Sequence, residues 1–232
     1  MCGRYRLSRH KQVIAEHFDA IWQNEDWEPH YNIAPTQSMP IIRQHPKELK
    51  RGLSLARWGL LPSWAKDASV AAINTRSETA SVKPTFREAL KFRRCLVPAD
   101  GFYEWKRMGK TRQPYIFEVN GGELLAFAGL WDTWKDGRGE ILETFSILTT
   151  AANDLTAAVH NRMPVILDPD HYGLWLDPEM KNIQAASNIL SPYDPRLMRC
   201  YPVSTRINHV ANDDAECSRA ADIVEIQPRL FS

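Results

Sequence analysis

Few of the features that declare a function outright are present in this chain. No apolar run approaches the ~20 residues that a bilayer-spanning helix requires. The first residues, Met1-Cys2-Gly3-Arg4-Tyr5-Arg6, are polar and basic with no apolar stretch behind them, so no secretory signal is expected. The four cysteines, Cys2, Cys95, Cys200 and Cys217, form no C-x-x-C pair, and the seven histidines show no H-x-x-x-H spacing. Neither a disulfide framework nor a zinc site is therefore indicated, and no metal or cofactor is expected. A charge of one sign is missing too. With 29 Lys and Arg against 28 Asp and Glu the formal net charge is +1, so any polyanion must be met by a local patch. No repeat, low-complexity linker or break in composition divides the 232 residues. These absences point to a cytoplasmic chain folded as one domain over residues 1–232.

What is present is apolar material in short pieces, 44% of the residues. Ser8 is placed to cap a helix through Val13, Ile14, His17, Phe18 and Ile21, which recur at helical spacing. Trp27 to Pro40, holding Pro29, Pro35 and Pro40, reads as an ordered loop. Pro40 to Arg43 and Leu53 to Trp58 read as strands with a charged tip, His45 to Arg51, between them. Thr85 to Arg93 and Ala151 to Val159 are helix-like, and Asp168-Pro169 starts another helix. From Cys95 onward strand signals dominate: Cys95 to Val97, Phe102 to Trp105, Tyr115 to Val119, Leu124 to Trp131 and Phe145 to Thr149. Gly121-Gly122 reads as a hairpin turn, and Met108 to Gln113 and Asp136 to Gly139 as charged turns. Strands without regular intervening helices predict an α+β fold, with a mixed, mainly antiparallel sheet or barrel-like core flanked by short helices.

Cys2 carries the most distinctive chemistry. Removal of Met1 would leave an α-amine and a thiol two atoms apart, with reference pKa values of about 7.7–8.0 and about 8.5. An aldehyde meeting such a pair forms an imine and closes to a five-membered thiazolidine, which an internal cysteine cannot do. From the dipeptide alone, Cys2 reads first as an accident of where translation starts.

The surrounding blocks supply context. Met1-Cys2-Gly3-Arg4 is followed by Tyr31-Asn32-Ile33-Ala34-Pro35-Thr36, by Trp58-Gly59-Leu60-Leu61-Pro62-Ser63-Trp64 and by Asn74-Thr75-Arg76-Ser77-Glu78-Thr79. Then come Cys95 to Trp105, His160-Asn161-Arg162-Met163-Pro164 and Pro202-Val203-Ser204. In this order and spacing the set resembles the SOS-response-associated peptidase (SRAP) family across nearly the whole chain. The resemblance implies a protein that loses its initiator methionine and reacts through the exposed cysteine with the ring-opened aldehyde of an abasic site in single-stranded DNA. A thiazolidine DNA–protein cross-link results, and lyase activity and self-removal of Met1 belong to the same expectation. A monomer acting in the cytoplasm, on the nucleoid when bound to DNA, is implied with it.

By the same resemblance Cys2, Asn74, Glu104 and His160 match catalytic positions. A carboxylate at Glu104 could take a proton from the attacking ammonium and return it to departing water. His160 could protonate the sugar ring oxygen or hold a phosphate, and Asn74 could orient the amine. Arg4, Arg76 and Arg162 match phosphate contacts, a role that suits the guanidinium fork. Asn32 is expected to line the site, and Trp64 to stack on a base. The family often has a tandem aromatic where this chain has Trp64-Ala65, which implies a smaller wedge. Trp58 and Trp105 are expected in the core, and Cys95, Cys200 and Cys217 to be unreactive. Taken singly, Glu104 also reads as a surface residue of an edge strand, His160 and Asn74 as structural, and the arginines as solvated. Two rivals stay open: a cysteine peptidase or amidohydrolase with Cys2 as nucleophile, and a single-stranded DNA binder without covalent chemistry.

Overall fold

The computed structural model describes residues 2–22, 26–45, 50–180 and 188–222. The first part of the chain contributes β1 (Tyr5–Leu7), α1 (Lys11–Phe18), β2 (Ala20–Trp22), β3 (His30–Ile33), β4 (Ser38–Gln44) and β5 (Arg51–Trp58). The middle contributes β6 (Asn74–Arg76), α2 (Ser77–Ala80), α3 (Arg87–Phe92), β7 (Arg94–Ala99), β8 (Gly101–Met108) and β9 (Thr111–Val119). The remainder forms β10 (Leu125–Lys135), β11 (Ile141–Ala151), α4 (Asp154–Ala157), β12 (Arg162–Pro164), β13 (Ile166–Leu167), α5 (Tyr172–Leu176) and β14 (Met198–Pro202). Among the described residues no helix is long and apolar enough to cross a membrane.

Two mainly antiparallel sheets result, an α+β architecture as expected. One runs in the order β14-β9-β8-β1-β3. In the other, β11, β10, β7, β4 and β5 pair in succession, and a parallel contact of β5 with β11 (Arg57 with Thr144, Trp58 with Phe145) joins its ends. The five strands close into a ring, which leaves them no free edge. Trp58, Phe127 and Phe145 fill it without solvent exposure. Tyr5 docks the first sheet on the ring: its side chain meets Trp58 at 5.1 Å and Phe127 at 5.9 Å between ring centres, both edge-on.

Several local expectations need correction. Ser8 does not cap α1. Its amide and hydroxyl both donate to Asp100 Oδ2 at 2.7 Å, and His10 occupies the cap position without a side-chain bond. The helix also stops at Phe18, where Asp19 turns left-handed (φ 47°), and Ile21 lies 59% exposed in β2. Trp27 to Pro40 is not all loop, because β3 fits between Pro29 and Pro35: proline bars a helix here but leaves room for a four-residue strand. Gly121-Gly122 makes a turn, with φ of 80° and 97°, yet not a hairpin. The strands it joins, β9 and β10, belong to different sheets, so the turn is where the chain changes layers. Met108 to Thr111 and Asp136 to Gly139 do turn antiparallel pairs, β8–β9 and β10–β11. Residues 46–49 of the predicted β4–β5 tip lie outside the described residues, although the strands on either side pair antiparallel as expected.

Between β1, β8, β9 and β14 lies a buried charge network. Arg6 Nε donates to Asp100 Oδ1 at 2.5 Å and its Nη2 to Glu118 Oε1 at 2.7 Å, while Arg199 Nε donates to Glu118 Oε2 at 2.5 Å. Burial pushes the Glu118 carboxyl up, but Arg6 and Arg199 together reverse this and hold it below the usual range. Arg6→Met would remove the buried cation shared by Asp100 and Glu118 and leave them only the more exposed Arg9 and Arg199, so it is expected to cost about 3 kcal/mol in urea unfolding. A loss under about 1 kcal/mol would mean that water replaces the guanidinium. Because the folded Glu118 value is depressed, its contribution to stability is complete above the unfolded carboxyl value and is lost as acid carries pH down through the folded one.

Candidate functional site

Four segments meet where the C-terminal end of β11 faces the start of β1. On β11, Ile147 to Thr149 pair with Asn74 to Arg76 of β6, and Thr149 to Ala151 pair with Arg162 to Pro164 of β12. From the other sheet, β1 pairs with β8 through Tyr5 and Phe102, and the Tyr103 amide donates to the Arg4 carbonyl at 3.0 Å. That register continues to set Glu104 abreast of Gly3.

This arrangement brings Cys2, Asn74, Glu104 and His160 together. Asn74 Nδ2 donates to the Cys2 carbonyl at 2.8 Å, and the Cys2 thiol points to the Arg4 carbonyl at 3.9 Å. Glu104 Oε1 lies 3.9 Å from His160 Nδ1. The same nitrogen lies 3.1 Å from the Arg162 amide, which donates to it when the imidazole is neutral, and 3.2 Å from the Arg162 carbonyl, which accepts from it when protonated. His160 itself follows α4, whose first turn is capped by Asn153 Oδ1 accepting from the Thr156 amide. Exposure rises from 0% at Cys2 through a buried Glu104 to 28% for the His160 side chain, so imidazole stands between carboxylate and solvent. Burial pushes the Cys2 thiol far above its ordinary value, and the neighbouring Glu104 carboxylate pushes the same way. The thiol is therefore held neutral.

The expected DNA contacts divide into three groups. Arg76 is exposed, two residues along β6 from Asn74 and hence on the same face of the strand. Arg162 and Arg4 are engaged within the protein. Arg162 makes a fork-to-fork pair with Glu78 (2.5 and 2.9 Å) and donates to the Thr149 carbonyl at 2.6 Å. Arg4 donates to Asn32 Oδ1 at 2.6 Å and to the Ile207 carbonyl at 2.8 Å, with its guanidinium over the Trp105 ring. Asn32 is fully buried. Its amide group donates to the carbonyls of Ile207, His209 and Asn212, which makes it the clasp holding the segment after β14 against β3. Trp64 is 60% exposed but sits by the other end of the β10–β11 pair, where Ser63 binds Asp132 and Trp134 binds the Ala65 carbonyl.

Trp58 lies in the core as expected, whereas Trp105 is only half-buried, with its Nε1 donating to Asn208 Oδ1 at 2.7 Å. Cys95 and Cys217 are buried. Cys95 is walled in by Gly129, where a Cβ would come within 2.7 Å of its sulfur. Two residues that shape the site carry no mark in the sequence as functional. Glu78, the partner of Arg162, stands in the same block as Asn74 and Arg76, and an acid four residues from Asn74 was the only hint. Asp213, which accepts from the amides of Tyr31 and Asn32, left none. Among the described residues no group of three or more His, Cys, Asp or Glu is placed to hold a metal ion.

Comparison with known proteins narrows the assignment. A family model for the SOS response associated peptidase (SRAP) matches residues 1–210. Abasic site processing protein YoaM of Bacillus subtilis (strain 168) is 39% identical over 221 residues, covering 93% of this chain and 96% of that protein. Abasic site processing protein HMCES of Gallus gallus is 34% identical over 229 residues, covering 84% of this chain and 68% of that protein. A crystal structure of a protein from Bacteroides thetaiotaomicron superposes with a TM-score of 0.86 at 27% identity, covering 95% of this chain and all of that one. The chain belongs to the SOS response associated peptidase (SRAP) family.

Proposed function

We propose that this protein processes abasic sites in single-stranded DNA, capturing the lesion as a thiazolidine cross-link on Cys2 once Met1 has been removed. The observation that supports this reading is the meeting of Cys2, Asn74, Glu104 and His160, from four separated stretches of chain, around one N-terminal segment. The names of the relatives from Bacillus subtilis and Gallus gallus, both abasic site processing proteins, point the same way.

The chemistry follows from the groups. His160 protonates the ring oxygen as the sugar opens to its aldehyde. The α-amine of Cys2 adds to the carbonyl carbon, and Glu104 relays one N–H proton to the carbonyl oxygen to give the carbinolamine and the second to its hydroxyl, which leaves as water as the C=N bond forms. The thiol then adds to the imine carbon: a C–S bond forms and the thiol proton ends on nitrogen. The sum is protein plus DNA less one water. The amine adds first, because the thiol closes the five-membered ring on the imine carbon that this addition creates. Asn74 steadies the Cys2 carbonyl and with it the direction of the amine. One chain carries all four groups, so a monomer suffices. Arg76 makes the first phosphate contact, and Arg162 exchanges Glu78 for a phosphate when the strand arrives.

A peptidase with Cys2 as nucleophile is favoured less, because such enzymes need a thiol pushed toward thiolate and in the chain that still carries Met1 this one is pushed the other way. Intact mass spectrometry tests the proposal, before and after incubation with an oligonucleotide carrying one abasic site. Loss of Met1, then an adduct at the summed mass less one water that survives denaturation, is the expected result. Mature protein that stays unmodified would sink it.

A further inference from the structure

β8 does not end at Glu104. It runs on as a hairpin with β9, in register to the pair Met108 and Thr111, with Gly109 in the left-handed region (φ 60°) at the tip. This arm carries Lys106, Arg107, Lys110 and Arg112, all exposed, and no acidic residue stands between Trp105 and Phe117. Three exposed arginines elsewhere are neutralised in place: Arg196 by Asp194, Arg206 by Asp214 and Arg219 by Glu216. None of the four on the arm is in an ion pair among the described residues. Arg107 and Arg112 are direct cross-strand partners, a like-charge pairing that works against the hairpin. In a chain of net charge +1, four cations gathered without a counter-charge mark a surface for a polyanion.

The arm's position says which polyanion. Lys106 follows Glu104 by two residues and so shares its face of the strand. Arg107 and Arg112 project from the opposite face, so the arm carries charge on both sides, starts beside the candidate site and extends about 13 Å, the length of four strand residues. At about 3.4 Å per stacked nucleotide that span matches the backbone of roughly four nucleotides. We propose that the β8–β9 hairpin grips the phosphates of the DNA strand on one side of the bound lesion, without regard to base sequence. The proposal rests on the reading of the site as a DNA-binding one and adds to it a second, separable contact region.

The test uses the full chain with all four residues changed (Lys106→Gln, Arg107→Gln, Lys110→Gln, Arg112→Gln) and single-stranded oligonucleotides without any lesion, so that binding is read apart from cross-linking. On an oligonucleotide of about 15 nucleotides, affinity at low salt should fall at least tenfold, and the salt slope should flatten by about 0.7 for each phosphate no longer held. On one of about four nucleotides carrying a central abasic site, the yield of cross-link should equal that of the unaltered protein. Unchanged affinity and slope on the longer strand overturn the proposal. So does a wild-type protein that prefers vesicles of anionic phospholipid to the oligonucleotide. If the fourfold variant does not fold, Arg112→Gln alone, which relieves the Arg107 repulsion, should still flatten the slope by about 0.7. Failure of the wild-type protein to cross-link would remove the thiazolidine reading while leaving the hairpin result to stand or fall by the lesion-free strands.

Discussion

Cys2→Ala protein, freed of Met1 and mixed with abasic DNA, should give no adduct that survives boiling in detergent, where the parent protein gives nearly full conversion. The substitution deletes only the sulfur. The 2.8 Å bond from Asn74 goes to the backbone carbonyl, so the N-terminal segment keeps its anchor, and the α-amine is still there to condense with the aldehyde. An imine, however, hydrolyses on denaturation, whereas a thiazolidine holds the carbon by both nitrogen and sulfur. Borohydride added during the incubation should therefore trap an adduct in the variant, and its omission should lose it. Affinity for lesion-free DNA should not change, because the arginines are untouched. A stable adduct in the variant without reductant would mean that another nucleophile does the capture. Lack of a trappable imine would mean that the amine does not lead.

Glu104→Gln is expected to slow cross-linking by about 10²–10⁴-fold, the range over which a positioned acid–base group acts. The amide is the same shape as the carboxylate, so the fit beside His160 is retained. What disappears is the capacity to accept a proton from the attacking nitrogen. The same change has a second effect of opposite sign. Glu104 is one of the two influences that raise the Cys2 thiol, so removing its charge lowers the thiol toward its ordinary value and makes thiolate more plentiful at any given pH. Alkylation of Cys2 across a pH series should thus rise at lower pH in the variant than in the parent, even as cross-linking slows. If cross-linking accelerated along with alkylation, Glu104 would be acting only as a brake on the thiol, and its role as base would be wrong.

How much of this could be read from the sequence depended on whether a residue's partner lies in the same block. Strands β8, β9 and β11 were legible because each holds a run rich in β-branched or aromatic residues, and such runs pack in sheets wherever they fall. The strand β3 was hidden between prolines that signal loop, and the helix start at Ser8 was lost to Asp100, 92 residues away. Gly121-Gly122 announces a turn in any context but says nothing of which sheet follows. The quartet around Cys2 was legible through the family resemblance, since four short blocks far apart in the chain leave no local trace of meeting. Arg4 and Asn32 were each recognised as polar residues of the site region. Their bond to one another, and the grip of Asn32 on three carbonyls near residue 209, depend on a segment that comes some 175 residues later.

Strand β1 lies between β3 and β8, so the segment that carries Cys2 is an interior member of a sheet and not a loose end. A chain terminus usually frays, and it can be the first part of a protein to take any shape. Here it is late. Its neighbours β3 and β8 come from residues 30 and 101 onward, and the ring behind it closes only when β11 reaches β5. Long-range pairings of this kind form slowly and together. Under the maturation proposed here, an unfolded copy freed of Met1 carries an ordinary aminothiol that any aldehyde in the cell can find. A folded copy encloses the same atoms beside a carboxylate, so the order of assembly determines when a chemically indiscriminate group becomes a selective one.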